Sequence, residues 1–141
     1  MTERSDAMQR VLDLERQRKS QALRGQVGRL AHESLTMHQF HALAVLASGG
    51  DMPTAALGDV LGAKPSVVTG VVQRLVERGL VERAADPEDR RVHLVRLSDA
   101  GSALMRDTFE EMERVSAERL QALSDAQLSA YADILDTLVR Q

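Results

Sequence analysis

The sequence has no cysteine and no tryptophan, and among its 141 residues there are only one tyrosine, two phenylalanines and three prolines. Without thiols there can be no disulfide, no thiolate zinc site and no cysteine-based redox sensor. Aromatics make up 2% of the chain, so the ring-rich composition of an all-β protein is missing. A core of Leu, Val, Ala and Met suits helices packed on helices. No apolar run approaches the roughly 18 residues of a membrane span. The segment from Met1 to Arg10 is polar, without a signal-peptide core. The expectation is a cytoplasmic chain with no membrane partner. Internal repeats, low-complexity tracts and long linkers are also absent. There is no Gly-rich phosphate loop and no supported Ser-His-Asp arrangement, so neither an enzyme nor a bound cofactor is expected.

What is present is enough hydrophobic residue, 43%, for one ordinary domain. The net charge of −3 is unevenly spread. Residues 64–98 carry seven basic side chains, one Lys and six Arg, against five acidic ones, whereas residues 99–141 carry four basic and nine acidic. Phosphate recognition depends on a local patch and not on the total.

The basic segment is also the most patterned. Ala56, Leu57, Val60 and Leu61 fall on one helical stripe, which Gly62 can end in a left-handed conformation. Pro65 suits the first turn of a second helix, where Val67, Val68, Val71, Val72, Leu75 and Val76 make the inward stripe and Gly79 is the stop. Ser66, Thr69, Gln73 and Arg74 lie on its other face. Two helices about a tight Gly-containing corner form a helix-turn-helix with the recognition helix last. Gly70, midway along that helix, costs about 1 kcal/mol relative to Ala, which suggests a close approach to a phosphate or a partner. Leu80 to Arg83 and Val92 to Leu97 then alternate apolar and polar residues around a charged tip, Ala84 to Arg91, predicting a β-hairpin wing. Arg90 and Arg91 at the tip can enter a minor groove or bind phosphate, with Asp89 close enough to orient one of them.

On either side the chain is helical. Val11, Leu14, Leu23, Val27 and Leu30 make a thin apolar face over residues 7–30, too narrow to bury in a monomer and suited to packing against a second subunit. Thr36 and Gln39 form a capping box, Leu35 and Phe40 offer a hydrophobic staple, and Phe40, Leu43, Ala44, Leu46 and Ala47 are expected to face inward. Ser98 caps a long helix with Asp99 in its first turn. Ser124 and Gln127 cap a last one, whose face is Leu128, Tyr131, Ile134, Leu135, Leu138 and Val139. These two helices are expected to form an antiparallel pair.

The ordered set Leu35-Thr36-Met37-His38-Gln39-Phe40, helix-turn-helix, Arg78-Gly79-Leu80-Val81-Glu82-Arg83, Asp86-Pro87-Glu88-Asp89-Arg90-Arg91 and Leu97-Ser98-Asp99-Ala100-Gly101 is similar to the MarR family of bacterial transcription regulators, across about the whole chain. The resemblance implies a mostly α fold with a small β-hairpin wing. Residues 1–35 and 99–141 would be dimerisation helices, and residues 36–98 a winged helix-turn-helix lobe. It implies a homodimer on double-stranded DNA, probing a pseudo-palindrome through Lys64, Ser66, Thr69, Gln73, Arg74, Arg90 and Arg91. Arg91 would be the minor-groove residue and Asp89 its orienting partner, from the family's Asp-x-Arg pattern. A small aromatic or anionic effector would sit where the dimer arm meets the DNA lobe, among Arg16, Arg24, His32, Met37, His38, Phe40 and Met105. Two other readings stand beside this one. A winged helix can serve as a protein-interaction module that never touches DNA. His38 and His41 at i, i+3, with His32 and Glu33 nearby, have a spacing that can hold a metal in a metal-responsive regulator, although no full ligand set is present and no metal is expected.

Overall fold

The computed structural model describes residues 3–89 and 91–140, without the side chains of residues 23, 24, 26, 27 and 29–32. Among the described residues six helices and three short strands follow one another: α1 Glu3–His32, α2 Met37–Gly49, β1 Met52–Pro53, α3 Thr54–Leu61, α4 Pro65–Glu77, β2 Val81–Ala85, β3 His93–Leu97, α5 Asp99–Leu120 and α6 Asp125–Val139. Among the described residues no single helix is long and apolar enough to cross a membrane.

The helix boundaries follow local chemistry. Thr36 Oγ1 accepts the Gln39 N–H at 3.3 Å and Gln39 Oε1 accepts the Thr36 N–H at 2.8 Å, closing the capping box at the start of α2. This reciprocal pair also engages the side-chain oxygen of Gln39, which is buried and would otherwise be an isolated acceptor in the core. Ser124 and Gln127 repeat the device at α6. Gly62 ends α3 at φ 60°, Pro65 opens α4, and the chain bends by 113° between these helices, within the range of a helix-turn-helix.

The sheet has three strands, in the order β1-β3-β2, all antiparallel, where the sequence pattern predicts only a hairpin. Met52 and Pro53 add an edge to β3 opposite Val95 and Leu94. Proline is tolerated there because an edge strand can leave one side unpaired. The wing strands pair Val81 with Leu97, Arg83 with Val95 and Ala85 with His93. Ala84 and Ala85 therefore belong to β2 and not to the tip.

The core is made by Leu35, Phe40, Ala42, Leu43, Leu46, Leu57, Val68, Val71, Val72, Leu75, Val81, Val95 and Met105. These lie within residues 35–105, where α2, the helix-turn-helix, the sheet and the start of α5 meet. Each fully buried Leu or Val contributes about 1.5–3 kcal/mol relative to exposure. Several expected inward residues are placed elsewhere. Val60 is 64% exposed, Val67 is 43% exposed, and Ala47 is exposed while its neighbour Ala42 is buried. On both helix-turn-helix helices the inward stripe is narrower than the apolar content, because the partner helix covers only Leu57 and Gly58 of α3 and Val68, Val71, Val72 and Leu75 of α4.

The corner joining wing and α5 is tightly closed. Ser98 Oγ donates to the Gly79 carbonyl at 2.6 Å and accepts the Gly101 N–H at 3.0 Å, while the Ser98 N–H donates to the Leu80 carbonyl at 3.1 Å. A Cβ on Gly101 would lie 1.9 Å from the Leu80 carbonyl oxygen. Only glycine fits there.

Outside this lobe the middle of α1 meets α5, where Gln21, Ala22 and Gly25 share a hollow with Met112, Val115, Ser116 and Arg119, while much apolar surface stays open. On α1, Met8, Val11, Leu12 and Leu14 are exposed, as are Leu128, Ile134, Leu135, Leu138 and Val139 on α6. No α6 residue is buried, and α6 does not fold back along α5 as an antiparallel pair. Its apolar face stays open.

Candidate nucleic-acid interface

Helix α4 is anchored by one face and presents the other. With Val68, Val71, Val72 and Leu75 buried, the 3.6-residue period turns Ser66, Thr69, Gly70 and Gln73 outward together, and all four are exposed. Lys64 and Arg74 are exposed before and beside them. Two of these polar groups are engaged within the helix. Thr69 Oγ1 donates to the Pro65 carbonyl at 2.9 Å, leaving its oxygen as acceptor, and Gln73 Nε2 donates to Glu77 Oε1 at 3.1 Å. Base readout through Gln73 therefore requires exchange of that exposed contact. At Gly70 an added Cβ would meet nothing within 4 Å, so the chain itself gives no reason for a glycine there.

The wing tip is held by its own aspartates. Asp86 Oδ1 accepts the Glu88 N–H at 2.8 Å and Asp89 Oδ1 accepts the Arg91 N–H at 2.9 Å. Backbone bonds from Asp86 N–H to the Val92 carbonyl and from Val92 N–H to the Asp89 carbonyl, both 2.9 Å, close the loop. Asp89 thus fixes the backbone of Arg91 and leaves the guanidinium exposed. Arg90 lies outside the described residues. Behind the tip, Arg96 and Glu82 form an ion pair at 2.6 Å across the outer face of the hairpin.

Arg78, just past α4, makes a contact that pattern reading does not anticipate. Its guanidinium donates to the carbonyls of Glu33 and Ser34, each at 2.7 Å, across 44 and 45 residues of sequence. Ser34 adopts φ 52°, which turns the chain out of α1. The end of α4 is thereby tied to the end of α1. Only the Arg-Gly pair after the helix hints at it.

The candidate effector residues are dispersed. Phe40 and Met105 are buried, Met37 is half-buried and His38 is exposed. Arg16 pairs with Asp13 at 3.0 Å on α1, sixteen residues from His32 and so about 24 Å along the helix axis. The side chains of Arg24 and His32 lie outside the described residues. Met105 instead lines a hollow of about 370 Å³ with Ala47, Leu97, Ser102, Arg106, Phe109, Glu110 and Glu113. His38 and His41 are both exposed, and among the described residues no three His, Cys, Asp or Glu side chains converge as a metal site.

Comparison with known proteins bears on the same residues. The family model described as MarR family matches residues 35–93, the span that holds nearly all of the core. An uncharacterised HTH-type transcriptional regulator of Mycobacterium bovis is 32% identical over 108 residues, 74% of this chain and 76% of that protein. The chain belongs to the MarR family. Other members include the HTH-type transcriptional regulator MhqR of Bacillus subtilis, 29% identical over 69% of this chain and 67% of that one. A solved MarR family protein from Bacillus stearothermophilus, 29% identical, superposes with a TM-score of 0.75 over 99% of this chain and 96% of its own. As a MarR-family chain this is a winged-helix transcriptional regulator, and α4 and the β2–β3 hairpin are its helix and wing.

Proposed function

We propose that this regulator is a homodimeric repressor that binds a pseudo-palindromic operator in double-stranded DNA and is released by a small-molecule effector. The observation that carries the DNA reading is the division of α4 into a buried valine and leucine face and an exposed face of Ser66, Thr69, Gly70 and Gln73, flanked by Lys64, Arg74 and the Arg91 tip. In a twofold dimer two such faces enter successive major grooves about one turn apart, with the wings alongside in the minor groove. Phosphate contacts position the protein, and Gln73, Thr69 and Ser66 read bases.

Dimerisation is supported by the open apolar faces of α1 and α6, which are the two parts of the chain without a core of their own. Such faces are too extensive for a soluble monomer. Repression is supported by a relative, the HTH-type transcriptional repressor MdtR of Bacillus subtilis, 26% identical over 77% of this chain. For the effector, the hollow beside Met105 and Phe109 offers an apolar wall suited to a small aromatic molecule, while Glu110 and Glu113 outweigh Arg106 there and lend an anion no support. Its size falls within the usual range for ligand pockets.

The test is a titration of the purified protein onto the DNA flanking its own gene at two salt concentrations, with Arg91→Ala in parallel. Tight binding that weakens steeply with salt, and that is lost in the variant, is expected. Equal, weak binding to unrelated DNA that Arg91→Ala leaves unchanged would overturn the operator-binding reading and favour a protein-interaction module.

A further inference from the structure

Between α4 and the wing runs a groove of about 480 Å³ lined by Thr54, Thr69, Arg83, His93 and Val95. The strand register explains it. Arg83 pairs with Val95 and Ala85 with His93, so Arg83 and His93 are diagonal neighbours on the same face of the hairpin, about 7–8 Å apart at the backbone. That face is the one whose next residues toward the base, Val81 and Val95, enter the core. Arg83 and the His93 imidazole therefore line the groove beside Thr69 of α4, both of them accessible from solvent.

The surrounding charges leave this groove electropositive. Its lining holds two nitrogen bases and two hydroxyls and no carboxylate. On the hairpin, Glu82 lies on the opposite face, paired with Arg96. At the tip, Asp86 and Asp89 are turned onto loop amides, while Glu88 and Arg91 are exposed. On α3, Asp59 lines the adjoining hollow, beyond Thr54 and Thr69. On α4, Glu77 is held by Gln73 two turns past Thr69, and Lys64 and Arg74 add positive charge. The short strand β1 contributes Met52 and Pro53, and α2 carries no charged residue apart from the exposed His38 and His41. Asp99 of α5 lies beyond the far end of β3.

We propose that this groove is a phosphate site for the DNA backbone, in which Arg83 and His93 grip one phosphate between the recognition helix and the wing and make binding responsive to pH through His93. The proposal rests on the DNA-binding function above. Arg83 supplies a permanent charge, while Thr69 shapes the groove wall with its hydroxyl proton held by the Pro65 carbonyl. His93 supplies a charge only when protonated. A phosphate beside the imidazole favours the imidazolium, so DNA binding takes up a proton. The contribution is present while the imidazole is protonated and is lost when it is neutral.

The experiment measures binding of the purified protein to a fluorescent duplex from the DNA flanking its own gene, and to an unrelated duplex, between about pH 6 and pH 8 and across salt, with His93→Gln, His93→Lys and Arg83→Gln. For the wild type the salt slope is expected to be steeper at the lower pH than for His93→Gln by about one unit per protomer, about two for the dimer, on both duplexes because the contact is to phosphate. His93→Lys should keep the low-pH slope at both pH values, and Arg83→Gln should lower the slope at both. His93 is exposed, so these variants leave the core intact. If His93→Gln and the wild type share one pH profile and one slope while both bind DNA, the phosphate site is wrong and DNA binding stands. If the wild type binds neither duplex at any pH, the site and the DNA-binding function fall together.

Discussion

Among the glycines, Gly101 is the one where an added methyl group, as in Gly101→Ala, meets the closest backbone atom. The new Cβ would stand 1.9 Å from the Leu80 carbonyl oxygen and 3.0 Å from its carbon. Because Cβ atoms do not approach other heavy atoms below 3.0 Å, one backbone must move by about 1.1 Å. Neither is free to do so. Leu80 donates its N–H to the Leu75 carbonyl at 3.0 Å and accepts the Ser98 N–H at 3.1 Å, and Gly101 N–H is bound to the Ser98 hydroxyl at 3.0 Å. Loss of one such bond costs about 1 kcal/mol, and overpacking of this kind adds about 1–3 kcal/mol. The variant is therefore expected to lose about 2–4 kcal/mol, a large share of the stability of a small domain. Urea unfolding of variant and wild type at one protein concentration measures it. A loss below about 0.5 kcal/mol would refute the argument, because the corner would then be relaxing without breaking its bonds. The same shift displaces the root of the wing against α4, so DNA affinity should fall in the folded variant as well.

Other perturbations separate stability from recognition. Gly70→Ala should raise stability by about 1 kcal/mol, the helix propensity gain at an exposed interior position, while weakening DNA binding by crowding the face shared with Thr69 and Gln73; unfolding curves and titrations should move in opposite directions. Leu57→Ala, at a fully buried site, should cost about 2–5 kcal/mol in urea unfolding. Ile134→Glu, on the open face of α6, should leave the lobe folded by circular dichroism but shift sedimentation toward the monomer.

Features set by chemistry within three or four residues were legible in the sequence. The capping boxes at Thr36 and Ser124, the Ser98 cap, the left-handed Gly62 and Pro65 at the start of α4 all concern neighbours along the chain, and the structure shows each of them. What escaped depends on partners distant in sequence. β1 is two residues long and exists because β3 offers it an edge, so it carries no alternation of its own. Val60 and Val67 match the apolar period yet point outward, since which apolar side chains are covered depends on where the neighbouring helix lies. The α5–α6 turn looks like a hairpin from its caps, but no local signal sets its angle. At the interface, the outward face of α4 was readable from helical period alone. The groove at Arg83 and His93 needed the strand register, and the Arg78 contact needed the fold.

The Arg78 contact makes α1 a lever. Its thirty residues span about 45 Å, and its C-terminal end is fastened to the end of the recognition helix by two bonds to main-chain oxygens. A tilt of about 5° around that fastening carries the far end of α1 through about 4 Å. Movement at the far end is thus geared down by the time it reaches the recognition helix, whereas a push applied next to the fulcrum is delivered nearly in full. Because the fastening grips main-chain oxygens, side chains at 33 and 34 can change without releasing it. Insertion of one residue in that corner would swing the lever out of reach.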